Sequence, residues 1–410
     1  MIDGWTAPGY EGVGDLLAER VRPWGRGGGG VSAYVGGELV VDLWGGERAP
    51  GSPWEQDTLA PIASVTKGLT ACVVNRLVER GILDFTSPVC TWWPEFAVNG
   101  KDRITLHHVM THSAGVLGFD RPLELLDGPG FGRGWGDYDA IASALAAARP
   151  VWAPGTRHGY HAIWYGWLVQ EVVRRATGRT VGDLFRSDFA QPLQLDTHLG
   201  GLGSDADRVA RTLSPDLTTL PPLRRRLLTR AARRMADPAT LSGRAFLADG
   251  TTSVLERSTR YLSTPEWLDA EVPSTNGVTT VRSLAKLFAA LAAGGELHGT
   301  RVLETSTVEQ MRVVRAVARD AVMGDPLPRL VRLVAAPKTA ATYGLVPNTG
   351  RLGAVLGPNP DAFAWRGFGG QAVLADPQTQ VVLASTCTDF TPGLDDRVGA
   401  LRTAVAVAAS

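Results

Sequence analysis

Strand-like segments lie at the two ends of this 410-residue chain, and helical segments fill the middle. Near the N-terminus, Val31-Ser-Ala-Tyr-Val35 and Glu38-Leu-Val-Val-Asp-Leu43 flank Gly36-Gly37, the signal of a hairpin with a tight glycine turn. Near the C-terminus, Ala372-Val-Leu-Ala375 and Gln380-Val-Val-Leu-Ala-Ser385 flank a turn at Asp376-Pro377. Strands drawn from both termini predict an α/β subdomain built from the chain ends with a helical subdomain inserted between them. Within one domain spanning 1–410, the expected division is 1–70 with 271–410 for the α/β part and 71–270 for the mainly helical part.

Apolar residues at Val65, Leu69, Cys72, Val73, Leu77 and Val78 recur at helical spacing and stop at Gly81. Further helices are expected over Thr105–His112, Tyr138–Arg149, His161–Thr177, Val281–Ala293 and Leu394–Ala409, several closed by glycine or proline. Residues 200–260 are the least regular. They hold Pro221-Pro222 and the arginines 224–226, 230, 233 and 234, read as a solvated helix or flap, or more sharply as a lid over a cleft.

Formal net charge is zero, so nothing global points to nucleic acid or an anionic membrane as the main partner. The three cysteines, Cys72, Cys90 and Cys387, are odd in number and unclustered. They are expected to be buried free thiols, not a disulfide framework or a zinc site. The first twenty residues carry Asp3, Glu11, Asp15 and Glu19 and no signal-peptide pattern. No apolar run approaches the ~18 residues of a membrane span, so the expected location is the cytoplasm.

Three elements could carry chemistry. Ser64-Val-Thr-Lys67 places a hydroxyl and an amine three residues apart on one helix face. A serine needs a base within hydrogen-bond reach. A lysine can serve if burial and the positive end of the helix dipole keep it neutral. Only four lysines occur among 41 basic side chains, which makes Lys67 more informative. A second pair, Ser283-Leu-Ala-Lys286, is read as structural: a capping or first-turn serine and a solvent-facing lysine. The second element, Pro154-Gly-Thr-Arg-His-Gly-Tyr160-His-Ala162, offers a phenol that could shuttle a proton. His158 and His161 lack a third ligand in sequence, so no metal is expected. The third, Trp365-Arg-Gly-Phe-Gly-Gly370-Gln371, is a glycine-rich turn leading into a strand. Its backbone could approach a ligand and offer an amide to an oxyanion.

In this order the three elements resemble the serine β-lactamase and penicillin-binding-protein superfamily, whose signature is Ser-x-x-Lys with a later Lys-Thr-Gly. The nearest likeness is to the family VIII carboxylesterases with class C β-lactamase architecture. It extends over Gly81-Ile-Leu-Asp84, Ile104 to Gly115, Trp152-Ala-Pro-Gly-Thr156 and Asn276-Gly277. The resemblance implies a β-lactamase/transpeptidase-like fold, an antiparallel sheet flanked by helices with an inserted helical subdomain. It implies acylation of Ser64, with Lys67 and Tyr160 as general acid and base, and an oxyanion hole from the backbone N–H groups of Ser64 and Gln371. Phe368, Gly369, Gly370, His161 and Asn276 would contact the substrate, and no cofactor is called for.

Two departures bear on the substrate. The family's Tyr-x-Asn or Tyr-x-Ser reads Tyr160-His-Ala162, and its Lys-Thr-Gly reads Phe368-Gly-Gly370, with no cation. The missing cation at Phe368 disfavours a β-lactamase or D-amino-acid peptidase and favours a neutral or apolar small-molecule ester or acyl substrate. The same residues would also serve an acyltransferase or an amide hydrolase, and the fold could carry a non-catalytic binding protein. No Gly-x-Ser-x-Gly occurs, which disfavours an α/β-hydrolase route.

Overall fold

The structure is a computed structural model and describes residues 2–21, 27–127, 133–214, 218, 221–250, 264–325, 338–348, 357–388 and 397–409. Its main sheet joins β1 (Ile2–Thr6), β2 (Gly28–Val35) and β3 (Glu38–Ala49) to β4 (Val346–Pro347), β5 (Phe363–Arg366), β6 (Ala372–Asp376) and β7 (Val381–Cys387). The order is β1-β3-β2-β7-β6-β5-β4, every pair antiparallel, with Ser52–Pro53 added on β3. The two ends of the chain meet where β2 pairs with β7, Val31 opposite Ser385 and Ala33 opposite Leu383. Both expected hairpins are present. The Asp376 carboxylate accepts the N–H groups of Gln378 and Thr379 and so closes the second one.

Side chains alternate across the sheet, as a period of two requires. Val31, Ala33, Leu374, Val381 and Leu383 pack on one face with Val13 and Leu17 of α1 (Glu11–Val21) and with Val398, Leu401 and Val405 of the last helix. Tyr34, Val373, Ala375, Val382 and Ala384 face the opposite way, into the larger core. That larger core holds α2 (Thr66–Glu79), α3 (Leu106–Met110), α4 (Trp164–Thr177) and α7 (Val281–Ala292). Two further helices, α5 (Pro222–Met235) and α6 (Leu241–Ala245), precede α7, and α8 (Arg397–Ala408) ends the chain; residue 394, where the sequence predicts its start, lies outside the described residues.

Helix ends follow local chemistry. Thr105 caps α3 and shares a capping box with His108, and Gly178 ends α4 in the left-handed conformation. Thr280 caps α7, and Ser283 is a buried first-turn residue whose hydroxyl accepts the Asp196 N–H at 2.9 Å. That matches the structural reading of Ser283, whereas Lys286 is half-buried and not fully solvent-facing. All three cysteines are free; Cys72 and Cys387 are buried, whereas Cys90 is only half-buried. No helix among the described residues is long and apolar enough to cross a membrane.

Candidate active site

Ser64 is the central residue of a 3-10 turn, Ala63–Val65, that runs directly into α2. Val65 occupies the cap position of α2 and no side chain caps the helix, so the Ser64 hydroxyl is left to other partners. Ala63 has φ 45°, a left-handed conformation that costs a residue with a Cβ about 1–3 kcal/mol. Thr66 stabilises the turn: its hydroxyl donates to the Ala63 carbonyl at 2.6 Å and accepts the Gly277 N–H at 3.0 Å.

Lys67 follows one helical turn later and is 1% exposed. Its Nζ donates to the carbonyls of Ala162 (2.6 Å) and Ser274 (2.8 Å) and lies 3.5 Å from Ser64 Oγ. Burial pushes its pKa well below the usual lysine value. A neutral amine has two N–H bonds and one lone pair. When both N–H bonds of the neutral form go to these carbonyls, its lone pair faces the Ser64 hydroxyl.

Tyr160 arrives from the loop before α4. Its phenol donates to Ser64 Oγ at 2.7 Å, and its ring centroid is 4.8 Å from Lys67 Nζ. Burial raises its pKa above the usual phenol value, so it is a neutral donor at ordinary pH. The three side chains singled out in the sequence therefore meet at one point, with Ser64 Oγ in reach of both the amine and the phenol.

The glycine-rich turn closes a third side. A Cβ on Gly367 would lie 2.5 Å from the Ile62 carbonyl, and one on Gly68 would lie 2.5 Å from the Trp365 ring. The β5–β6 hairpin is therefore pressed against the turn that carries Ser64. Gly369 and Gly370 take φ values of 95° and 92°, which a side chain would disfavour. Phe368 between these contacts is half-buried and packs on the larger core. Gln371 is fully buried; its carboxamide donates to the Cys387 carbonyl (2.6 Å) and accepts the Cys387 N–H (3.0 Å), fixing its backbone at the head of β6.

Two of the expected substrate contacts are not made this way. The Asn276 side chain is 1% exposed, accepts the Val272 N–H at 3.0 Å, and donates to the carbonyls of Trp267 and Ala270. It braces the loop ahead of Gly277 and does not face the cleft. His161 is fully buried, with Nδ1 2.7 Å from the Gly159 carbonyl, and lies behind Tyr160 against His112 and Trp152. Trp135 is buried, with its ring centroid 5.5 Å from that of Trp167 and 4.6 Å from that of Trp267.

Other residues at the site were not singled out. His112 has φ 56° and places its ring 5.1 Å from Tyr160 and 5.6 Å from His161. Burial and the neighbouring His161 and His158 hold it well below the usual histidine pKa. Asp320, 2% exposed, accepts the N–H groups of Tyr160 (3.2 Å), Val322 (2.9 Å) and Met323 (2.9 Å), and its other oxygen lies 3.5 Å from His158 Nε2. The Ser274 carbonyl that holds Lys67 also had no sequence signal. Among the described residues, no three or more His, Cys, Asp or Glu side chains are grouped so as to hold a metal.

The chain is similar to known proteins over nearly its whole length. The family model described as Beta-lactamase matches residues 14–408. The Esterase/beta-lactamase LipL of Mycobacterium tuberculosis is 34% identical over 366 residues, 87% of this chain and 76% of that protein. A crystal structure of a family VIII carboxylesterase aligns over 100% of both chains with a TM-score of 0.81 and 29% identity. So does a penicillin-binding protein homologue from Caulobacter crescentus, with the same TM-score and identity. The sheet order, the Ser64–Lys67–Tyr160 contact and these full-length matches make the chain a member of the beta-lactamase family of hydrolases.

Proposed function

We propose that the chain is a carboxylesterase-type serine hydrolase that works through an acyl-enzyme on Ser64. The observation that carries this reading is the simultaneous contact of Ser64 Oγ with an amine whose pKa burial lowers and a phenol whose pKa burial raises. Ser64 Oγ attacks the ester carbonyl while its proton passes to the Lys67 lone pair. The tetrahedral oxyanion is met by the backbone N–H groups of Ser64 and Gln371. As the C–O bond breaks, the leaving alkoxide takes a proton from Tyr160, which recovers one from the Lys67 ammonium. Water then attacks the acyl carbon, gives its proton to the same pair, and releases the acid while Ser64 Oγ is reprotonated.

Phe368 supports a neutral or apolar ester. A half-buried aromatic ring there cannot neutralise a substrate carboxylate as a lysine would. The absence of an amide or hydroxyl at Ala162 points the same way. The relative LipL is named both esterase and beta-lactamase, so the test includes both substrates.

The experiment is a burst assay with a short-chain p-nitrophenyl ester, with intact-protein mass spectrometry after a fluorophosphonate probe. The expected result is p-nitrophenol release, a probe adduct on Ser64, and loss of both in Ser64→Ala. Turnover that survives Ser64→Ala removes the mechanism. Faster turnover of a chromogenic cephalosporin than of any ester removes the substrate class.

A further inference from the structure

A net charge of zero conceals a strongly basic helix. The sequence of α5, Pro-Leu-Arg-Arg-Arg-Leu-Leu-Thr-Arg-Ala-Ala-Arg-Arg-Met, has six arginines and no acidic residue. Arg225, Arg226, Arg230, Arg233 and Arg234 are exposed, and among the described residues none of them forms an ion pair. Positive charge in the first turn of a helix opposes its dipole, and α5 has neither an acidic residue there nor a side-chain cap. Arg233 and Arg234 in the last turn suit the dipole, but the first-turn arginines do nothing for the stability of the helix.

The apolar residues of α5 divide into two sets. Ala232 and the following Ala236 are buried against the body of the protein, with Leu228, Ala231 and Met235 half-buried beside them. Leu223 and Leu227 are not: they are 72% and 60% exposed. At 100° per residue, Leu223, Leu227, Arg230 and Arg234 share one outward stripe. Leucines interleaved with arginines on a solvent-facing stripe suit a boundary where alkyl groups enter an acyl layer and guanidinium groups meet phosphates. Nucleic acid would use the arginines but leave both leucines in water.

The helix is tied to the site. Thr240, which caps α6, donates its hydroxyl to the Arg234 carbonyl at 2.9 Å. Ala245 and Phe246 at the end of α6 pack with Trp152 and Tyr160, the Phe246 and Tyr160 ring centroids being 6.3 Å apart.

We infer that α5 docks the protein onto an anionic lipid surface, with Leu223 and Leu227 in the acyl boundary and the arginines on the lipid phosphates. This goes beyond the ester reading and holds independently of which ester is cleaved. It also gives the basic helix at Pro222–Met235 a role other than that of a lid.

The test is flotation of the full chain with vesicles of phosphatidylcholine alone or mixed with phosphatidylglycerol. The protein is expected to float with the mixed vesicles only and to be released by high salt. Leu223→Ser/Leu227→Ser and Arg230→Glu/Arg234→Glu should each weaken binding by about tenfold or more, while turnover of a soluble p-nitrophenyl ester stays at the parent rate and shows the variants to be folded. Equal flotation with both vesicles, no flotation with either, or unchanged binding by both variants overturns the inference. So does tighter binding to duplex DNA than to the mixed vesicles. A dimer in light scattering that the leucine variant abolishes also overturns it, since a second copy would then cover the stripe.

Discussion

The carboxylate of Asp320 accepts the backbone N–H of Tyr160 at 3.2 Å, across 160 residues of sequence. The same oxygen gathers the N–H groups of Val322 and Met323, and the other faces His158 Nε2 at 3.5 Å. His158 in turn places Nδ1 2.9 Å from the Thr111 carbonyl, next to His112. Asp320 does not touch Ser64; it fixes the loop from which the Tyr160 phenol reaches it.

Asp320→Ala is therefore expected to lower kcat by up to about 10²-fold, with a smaller effect on KM. Asp320→Asn retains an acceptor oxygen and should recover much of the loss. Steady-state kinetics on a soluble ester, with circular dichroism to check the fold, decide the matter. An Ala variant with parent kcat would show that Tyr160 needs no such anchor.

The pH profile should follow Lys67 and Tyr160, not the histidines. The base must be neutral, and burial lowers Lys67 well below the usual 10.5, so the acid limb of kcat/KM lies well below that value. Burial raises the Tyr160 phenol above the usual 10.0, so the alkaline limb lies above it and the plateau is broad. His112 and His161 are both lowered and stay neutral across the plateau. Lys67→Ala and Tyr160→Phe should each cost about 10² or more in kcat. An acid limb near the ordinary lysine value would remove Lys67 as the base.

Much of this was legible because its cause is local. The apolar run that opens Val381–Cys387, the helical spacing from Val65 to Val78 and the glycine turns are short-range patterns that tertiary packing did not override. Ser64 and Lys67 were legible because three residues on a helix bring them to one face. Tyr160 was not, from composition alone; the resemblance supplied it. Asp320 and the Ser274 carbonyl were invisible because they act from far along the chain, through groups every residue type can offer. Asn276 was misread because motif membership does not fix the direction of a side chain. His161 was misread because its neighbour Tyr160 takes the exposed face.

Asn276 is expected to matter for stability and not for turnover. Its side chain pairs one N–H and two carbonyls in a buried loop, and Asn276→Ala removes all three bonds. The cost should be about 1–3 kcal/mol or more. Urea unfolding should show the loss, while kcat/KM per folded molecule stays near the parent value. A specific rise in KM with unchanged stability would restore a substrate contact.

Acid should destabilise the protein through its buried histidines. Burial lowers His161 from the usual 6.5 to about 4, the neighbouring His158 adding to the effect. Between those values the unfolded chain binds a proton that the folded protein refuses. Stability is therefore fully present above about 6.5, falls as pH drops, and stops falling on this account below about 4. At about 1.4 kcal/mol per unit, His161 supplies up to about 3 kcal/mol of that fall. Lowered His112 acts in the same direction. Urea unfolding across this range should show the slope, and His161→Gln should remove part of it because glutamine does not titrate. If the variant keeps the whole slope, His161 is protonated in the folded protein, and a buried positive charge then sits behind Tyr160, where Lys67 has to remain neutral.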